Sequence, residues 1–124
     1  MPRSFSNTAA LSSATIATAL GYTPARATPQ VNAQTGTTYT VLTTDNGKII
    51  TCSNAGAITV TVPASLGAGF NAMIVQIGAG QVTLVGSSAT LNNANGLKTA
   101  AQYSVLSLVS YATDVFVVAG DATA

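Results

Sequence analysis

The carboxylate side chains of this chain belong to Asp45, Asp114 and Asp121, and a carboxylate pair is the usual machinery for breaking a glycosidic bond. Turn chemistry accounts for the first two. Each lies between strand-like segments, and Asp stabilises turns by hydrogen-bonding nearby backbone. Asp121 stands close to the end of the chain. The sequence therefore predicts no catalytic residues and a protein that is not an enzyme.

A second segment, Gly78-Ala79-Gly80-Gln81, has the composition of a phosphate-binding loop. A dinucleotide-binding fingerprint also needs a third glycine and a helix after a strand. Here the strand-like residues 82–85 come next, so we predict a turn between two strands and no bound cofactor.

The single cysteine, Cys52, cannot form a disulfide within the chain and gives no metal-ligand spacing. It follows Ile49 and Ile50 in a strand-like segment, which predicts a small buried hydrophobic side chain. The chain also lacks His. No metal site is predicted.

The overall composition favours a structural role. Of the 124 residues, 48% are hydrophobic and only 6% are charged, and His, Trp and Glu do not occur. The surface of a soluble monomer usually carries about 25–35% charged residues. We therefore expect this chain to cover much of its surface with copies of itself or with a partner.

The basic residues Arg3, Arg26, Lys48 and Lys98 are spread along the chain without a cluster. Nucleic-acid binders carry a basic stripe with stacking aromatic residues, so no nucleic-acid partner is predicted. No segment approaches the roughly 20 apolar residues of a membrane-spanning helix, so no membrane partner is predicted either. Polar residues interrupt the Ala-rich start of the chain, so we expect no cleaved signal peptide.

Residues 1–34 are predicted to form an extended N-terminal arm with one short helix. Ile16 and Leu20 stand four residues apart and share a helical face. Gly21 suits the left-handed position after a helix end. A helix of about ten residues is marginal alone in water, so it needs a surface to pack on: its own β-domain, sister chains or a larger assembly. The predicted interaction residues of the arm are Leu11, Ile16, Leu20, Tyr22 and Pro24.

Residues 35–124 are predicted to form a β-domain. Apolar and Thr residues alternate in Ile58-Thr59-Val60-Thr61-Val62, which is typical of a strand with one buried face. Asp45-Asn46-Gly47 predicts a hairpin, because Asn-Gly adopts positive φ at little cost. Residues 70–77 are apolar on both faces except Asn71 and Gln76, which predicts a central strand covered on both sides.

The pattern of short strands predicts the fold class. Seven strands are expected, over residues 38–43, 48–53, 57–62, 70–77, 81–85, 103–111 and 115–119, with a loop over 92–96 and a final hairpin around Thr113-Asp114. Because no helical pattern separates the strands, a parallel α/β sheet is disfavoured. We predict an all-β protein: an antiparallel β-sandwich or jelly-roll-like domain with a short N-terminal helix and an extended arm.

Three segments resemble a module of tailed-bacteriophage virion proteins. Ala19-Leu20-Gly21-Tyr22-Thr23-Pro24 is similar to a segment that recurs in tail fibres and other fibrous virion proteins. Residues 45–50 followed by 57–63, and then residues 69–83, resemble in the same order a β-module of such fibres and of capsid-attached head fibres. The resemblance covers most of the chain, from residue 19 to residue 118.

The resemblance implies a homotrimer on the virion surface, either on the capsid or at the tail. Fibres of this group carry a long stalk and a receptor-binding tip, whereas only Asp121-Ala122-Thr123-Ala124 follow the β-domain here. We therefore expect a capsid decoration protein, of the cement or head-fibre kind. Its arm would bind major capsid protein subunits and stabilise the assembled shell. Replacing Ile16 and Leu20 by Asp should abolish trimers or capsid attachment.

Two alternatives stay open. The chain could be a tail or collar fibre component whose partners are tail or portal proteins, or a module that binds a host surface glycan. Tyr39, Tyr103 and Tyr111 are the aromatic side chains that could stack on a sugar. Tyr within strands more often packs in a core or a subunit interface.

Overall fold

A computed structural model of the protein describes residues 30–124, together with Ala19 and Gly21. In this part of the chain the predicted all-β class is confirmed, and one 3-10 helix, Thr43–Asp45, is the exception. The strands are β1 (Val31–Gln34), β2 (Thr38–Thr40), β3 (Ile49–Cys52), β4 (Ile58–Pro63), β5 (Asn71–Gln76), β6 (Val82–Ser87), β7 (Thr90–Asn93), β8 (Lys98–Thr99), β9 (Val105–Ala112), β10 (Val115–Gly120) and β11 (Ala122–Thr123).

The strands form two sheets. Sheet A has the order β1-β3-β5-β9-β10-β7, and sheet B has the order β11-β8-β6-β4-β2. The first six strands alternate between the sheets, and within each sheet they are parallel. Val31 pairs with Ile49 and Ile49 with Met73, so the chain follows a solenoid-like path with roughly 20 residues per coil.

The last part of the chain closes this solenoid with antiparallel strands. In sheet A, β9 pairs antiparallel with β5, and β10 with β9. In sheet B, β8 pairs antiparallel with β6, and β11 with β8. The hairpin predicted around Thr113-Asp114 is thereby confirmed as the connection from β9 to β10.

The prediction of an antiparallel sandwich or jelly roll is met only in part, because both sheets are mixed. The parallel pairs are β1 with β3, β3 with β5, β2 with β4, β4 with β6, and β7 with β10. The lack of a helical pattern between the strands disfavours a parallel α/β sheet, since parallel strands need a long crossover. Here a strand of the opposite sheet makes that crossover.

The hairpin predicted at Asp45-Asn46-Gly47 is wrong. Gly47 adopts positive φ (76°), as its turn chemistry requires. However, the turn carries the chain from β2 in sheet B to β3 in sheet A, and β3 pairs with β1 and β5. The predicted loop over residues 92–96 is also too long, because Asn92 and Asn93 belong to β7.

One corner of the solenoid is organised by Asn54. Its Nδ2 donates to the Thr35 carbonyl at 2.8 Å, and its own carbonyl accepts from the Gly80 amide at 2.8 Å, so it connects three successive coils. The predicted turn at residues 78–81 is confirmed here. A Cβ on Gly80 would lie 1.8 Å from the Gly56 oxygen, which explains why this position needs glycine.

The core lies between the two sheets and is built by inward-pointing residues of both. Ile58, Val60 and Val62 are buried as their alternation predicts, and Cys52 is buried as predicted. Phe70 and Phe116 pack edge to face at 6.3 Å between ring centroids. The remaining buried apolar residues are Val41, Ile50, Ala72, Ile74, Val82, Leu84, Leu106, Leu108 and Val118.

The predicted boundary after residue 34 cuts into sheet A, because β1 pairs with β3 along its whole length. Before residue 30, only Ala19 and Gly21 are described, and Gly21 has the positive φ (77°) expected after a helix end. Within the described part of the chain, no helix has the length and apolar character needed to cross a membrane.

Candidate interaction surface

The outward side of sheet A carries apolar residues along several neighbouring strands. Strand residues alternate between the core and the outside, so residues next to buried ones in sequence form the outer face. This surface, called the apolar face below, comprises Val31, Ile49, Met73, Val75, Val105, Val109, Tyr111, Val115 and Val117. Met73 is 47% exposed and Val109 45% exposed. No charged residue points outward from these strands.

The apolar face corrects one prediction. Residues 70–77 were expected to be covered on both sides, but β5 is buried on one side only, with Met73 on the open side. The six strands give sheet A a width of about 24 Å. Monomeric proteins rarely expose larger apolar patches than a few hundred Å² unless these bind something. The apolar face is therefore the strongest candidate for an interface.

A depression of about 250 Å³ lies within the apolar face, over β3, β5 and β9. Ile49, Met73 and Val109 supply apolar walls, and Lys48 is the one charged residue of the lining. The full lining is Gly47, Lys48, Ile49, Asn71, Ala72, Met73, Ser107 and Val109.

Tyr111 lies on the outward side of β9, two residues from the Val109 that lines the depression, and is 62% exposed. Its hydroxyl accepts a hydrogen bond from Asn92 Nδ2 at 3.2 Å. Because Asn92 lies on β7 and Tyr111 on β9, with β10 between them, the ring reaches across β10.

The outward side of sheet B has a different character, and it is called the threonine face below. Three neighbouring parallel strands align their threonines: Thr38 pairs with Thr59, and Thr59 with Thr83. Thr40 and Thr61 form the next row. Val85 continues this row on β6 and is 44% exposed, and Lys98 of β8 pairs with Thr83, so the face is mostly hydroxyl-bearing with one exposed apolar residue and one basic residue.

A buried polar cluster closes the end of the solenoid formed by β1 and β2. The Asp45 carboxylate is 1% exposed and accepts hydrogen bonds from Tyr39 Oη (2.5 Å), Asn32 Nδ2 (2.9 Å) and the Leu42 amide (2.9 Å). Burial, together with the hydrogen bond to Asp45, raises the pKa of Tyr39 to about 12.

The other two aspartates occupy separate turns. Asp114 Oδ1 accepts from the Ser65 amide at 2.7 Å, and Asp121 Oδ2 accepts from Ser104 Oγ at 2.6 Å. Each of the three carboxylates therefore accepts hydrogen bonds of its own, and Asp114 and Asp121 accept them from residues distant in sequence. Among the described residues, no group of three or more His, Cys, Asp or Glu side chains is placed to hold a metal ion.

The arm residues predicted to interact, Leu11, Ile16, Leu20, Tyr22 and Pro24, lie outside the described residues. Of the three candidate sugar-stacking residues, Tyr39 is committed to the buried cluster. Tyr111 belongs to the apolar face, and Tyr103 is 70% exposed in the turn before β9.

The sequence analysis missed the apolar face as a site, although its signal was present. Residues 72–75 are apolar at consecutive positions, and residues 105–109 are apolar except Ser107, which is typical of strands covered on both sides. In this chain the core covers one side only. The outward side of these strands therefore needs another surface to pack against.

Comparison with known proteins gives no identification. No protein-family model matches the chain, and no curated protein matches it.

Proposed function

We propose that this protein is a non-enzymatic structural component of a bacteriophage virion, a homotrimer that decorates the capsid and stabilises it. The observation that carries this proposal is the apolar face, which exposes Met73, Val109 and other apolar side chains without any outward charge. The resemblance of three segments to phage virion modules supplies the virion as the setting.

Association through the apolar face supports the trimer on energetic grounds. Each Å² of apolar surface removed from water contributes about 25 cal/mol, and no outward charge on these strands has to be desolvated. Only 6% of the residues are charged, so burying this surface lowers the free energy more than keeping it hydrated. In a cyclic trimer each copy would contact two neighbours, so the apolar face would be covered by other copies.

The capsid is the proposed partner of the arm, which now comprises the residues before β1, 1–30. A protein that binds the assembled shell and not its loose subunits stabilises the shell by mass action. The arm and the apolar face then have separate roles. Ile16 and Leu20 bind the capsid, and sheet A forms the contacts between the copies of the trimer.

A capsid-binding assay tests this division. Purified trimer is mixed with undecorated capsids of the virus whose genome encodes it, and bound protein is measured after sedimentation of the capsids. The double variant Ile16→Asp, Leu20→Asp should lose attachment and keep the oligomer mass. The matched control, Thr38→Asp with Thr59→Asp on the threonine face, should keep both. Unchanged attachment of the arm variant would contradict the proposed role.

A second candidate function, glycan binding, draws on Tyr103. This residue is 70% exposed and holds positive φ (71°), an uncommon conformation for a bulky side chain. An exposed aromatic ring presented by a strained turn could stack on a sugar of the host surface. Binding of the free protein to a glycan array, lost in Tyr103→Ala, would favour a receptor-binding role over capsid decoration.

The position on the virion distinguishes the remaining alternative, a tail or collar fibre component. A cryo-electron-microscopy map of the particle would show density for the protein either on the capsid lattice or at the portal and tail. Density confined to the tail would indicate that the partners are tail or portal proteins and not the capsid protein.

A further inference from the structure

The turn formed by residues 101–104, before β9, carries a residue type that its backbone does not favour. The Ser104 amide donates to the Ala101 carbonyl at 3.1 Å and closes the turn, and the third residue, Tyr103, has a φ of 71°. Glycine and asparagine adopt positive φ at this turn position with little strain, whereas a bulky side chain does not. Tyrosine at position 103 therefore costs conformational free energy.

Packing within the chain does not offset this cost. Tyr103 is 70% exposed, more than any other large hydrophobic side chain of the residues that the structure describes. A strained conformation persists only where the surrounding structure enforces it, and such residues cluster at functional sites. The ring is therefore held outside the fold for a reason other than stability.

A buried polar network lies behind the turn. Gln76 occupies an inward position of β5 and is only 2% exposed. Its Nε2 donates to the Gly78 carbonyl at 3.0 Å, and its Oε1 accepts a hydrogen bond from the Thr99 hydroxyl. Thr99 Oγ1 in turn accepts from the Val82 amide at 2.9 Å. Apolar side chains at positions 76 and 99 would fill the same space without needing these partners.

This network is joined to the turn by backbone hydrogen bonds. The Gln76 carbonyl accepts from the Tyr103 amide at 2.7 Å, and the Gln76 amide donates to the Ser104 carbonyl at 3.1 Å. Gln102 Nε2 donates to the Ile77 carbonyl at 2.8 Å on the same side. A polar network whose members are all hydrogen-bonded makes its surroundings rigid. The turn is therefore fixed before any ligand arrives, as a preorganised binding site requires.

The surroundings of the ring indicate the chemistry of the ligand. Residues 99–113 contain no charged side chain, and the Asp121 carboxylate bound to Ser104 disfavours an anion. A cation site usually encloses the charge in several aromatic rings, whereas this turn has one. A neutral sugar fits better, because the negative face of a tyrosine ring attracts the C–H groups on one side of a pyranose. Gln102 is exposed beside it, and its Oε1 can accept a hydrogen bond from a sugar hydroxyl.

We infer that residues 102 and 103 form the contact surface for a neutral saccharide, with Tyr103 stacked on the sugar ring and Gln102 bound to a hydroxyl. The inference goes beyond the proposed capsid role, and it gives residues and a ligand charge to the glycan-binding candidate named there. Because the turn is already ordered, little conformational freedom is lost on binding. This accounts for a tyrosine at a position that asparagine would occupy with less strain.

The first test measures binding. An array of neutral and acidic bacterial surface oligosaccharides selects the neutral oligosaccharide with the strongest signal, and calorimetric titration with that compound gives the affinity per chain. Tyr103→Asn should weaken binding at least about fivefold, the lower end of the loss of one stacking ring. Tyr103→Phe should stay within about threefold, because it keeps the ring. Tyr111→Ala removes a tyrosine that is 62% exposed on a strand and should leave the affinity unchanged.

The second test separates a binding role from a structural one. Asparagine relieves the strain of positive φ, so the urea midpoint of Tyr103→Asn should equal or exceed that of the wild type. The inference predicts that binding is lost while stability is kept. A lower midpoint would show that the ring supports the fold, and it would overturn the inference.

The outcomes keep this inference apart from the capsid role. Tyr103→Asn should attach to capsids like the wild type in the sedimentation assay described above. No binding to any neutral oligosaccharide, or unchanged affinity of Tyr103→Asn, overturns the inference and leaves the capsid role standing. Loss of capsid attachment in Tyr103→Asn would make the ring a capsid contact and also overturns it. Unchanged attachment of the variant with Ile16→Asp and Leu20→Asp contradicts the capsid role alone.

Discussion

The two outer faces of this solenoid are built by the same chain path and yet carry opposite chemistry. On sheet B, Thr38, Thr59 and Thr83 align across parallel strands and keep their hydroxyl groups in solvent. On sheet A, Ile49 and Met73 align in the same way but expose apolar side chains. The fold determines which positions point outward. The residue types at those positions determine whether the face remains solvent-exposed or binds another chain.

The largest effect is expected from a charge on the apolar face. Val109→Asp should weaken self-association more than about 100-fold, because an unpaired carboxylate buried in an interface costs several kcal/mol. Thr59→Asp, at an outward position of sheet B, is the matched control and should leave association unchanged. Size-exclusion chromatography with light scattering measures both. Equal effects of the two variants would remove the distinction between the faces.

A second prediction concerns the corner that both faces share. Gly80→Ala should lower the free energy of unfolding by about 3 kcal/mol, because its Cβ would overlap the Gly56 backbone. Gly36→Ala is the control: the nearest atom to its Cβ would be 3.8 Å away, so a change within about 0.5 kcal/mol is expected. Urea denaturation provides the comparison. A stable Gly80→Ala protein would mean that the coils are not stacked as described.

How much of this could be predicted from the sequence differs between the two sheets. The alternation of Ile58, Val60 and Val62 correctly predicts the inner side of β4. The pairing of strands was not predictable in the same way, because the Asn46-Gly47 turn has the chemistry of a hairpin while its strands lie in different sheets. Local turn preference does not report whether the next strand returns to the same sheet.

The candidate site shows the same division. The apolar residues in 72–75 predict a strand that is covered on both sides. The sequence does not show that only one side faces the protein's own core and that the other faces outward. The strands β1, β7, β8 and β11 escaped prediction, and each has four residues or fewer. The equally short β2 and β3 were found because they lie within longer strand-like segments, 38–43 and 48–53.

A third prediction tests the polar cluster at the end of the solenoid. Tyr39→Phe should destabilise the fold by about 1–2 kcal/mol, because the buried Asp45 carboxylate loses one of its donors. Tyr103→Phe, at an exposed position, should change stability by less than about 0.5 kcal/mol. If both substitutions are neutral, the cluster does not hold the two edge strands together.

The same residue sets an expectation for alkaline pH. The pKa of Tyr39 is raised to about 12 in the fold, from an unfolded value near 10. The contribution of protonated Tyr39 to the free energy of unfolding is therefore complete below pH 10 and is lost as the pH rises through 12. The loss should be about 1 kcal/mol after allowance for solvent screening, and smaller in Tyr39→Phe. Burial also raises the pKa of Cys52 to about 11, so Cys52 contributes in an overlapping range and persists in that variant. Identical alkaline profiles for both proteins would contradict this assignment.

The smallest effect is expected on the threonine face. Thr59→Val replaces a hydroxyl by a methyl group on an exposed strand, so monomer stability should change by less than about 0.5 kcal/mol. One added methyl group does not make an interface, and association should stay as in the wild type. New oligomers of this variant would show that the threonine face is closer to a binding surface than its hydroxyl groups suggest.

Sedimentation equilibrium of the 124-residue chain at micromolar concentration tests the proposal that copies of this protein cover the apolar face of sheet A. That proposal predicts a single species with three times the 12.3 kDa mass of one chain. A species with the mass of one chain across the whole concentration range would contradict it.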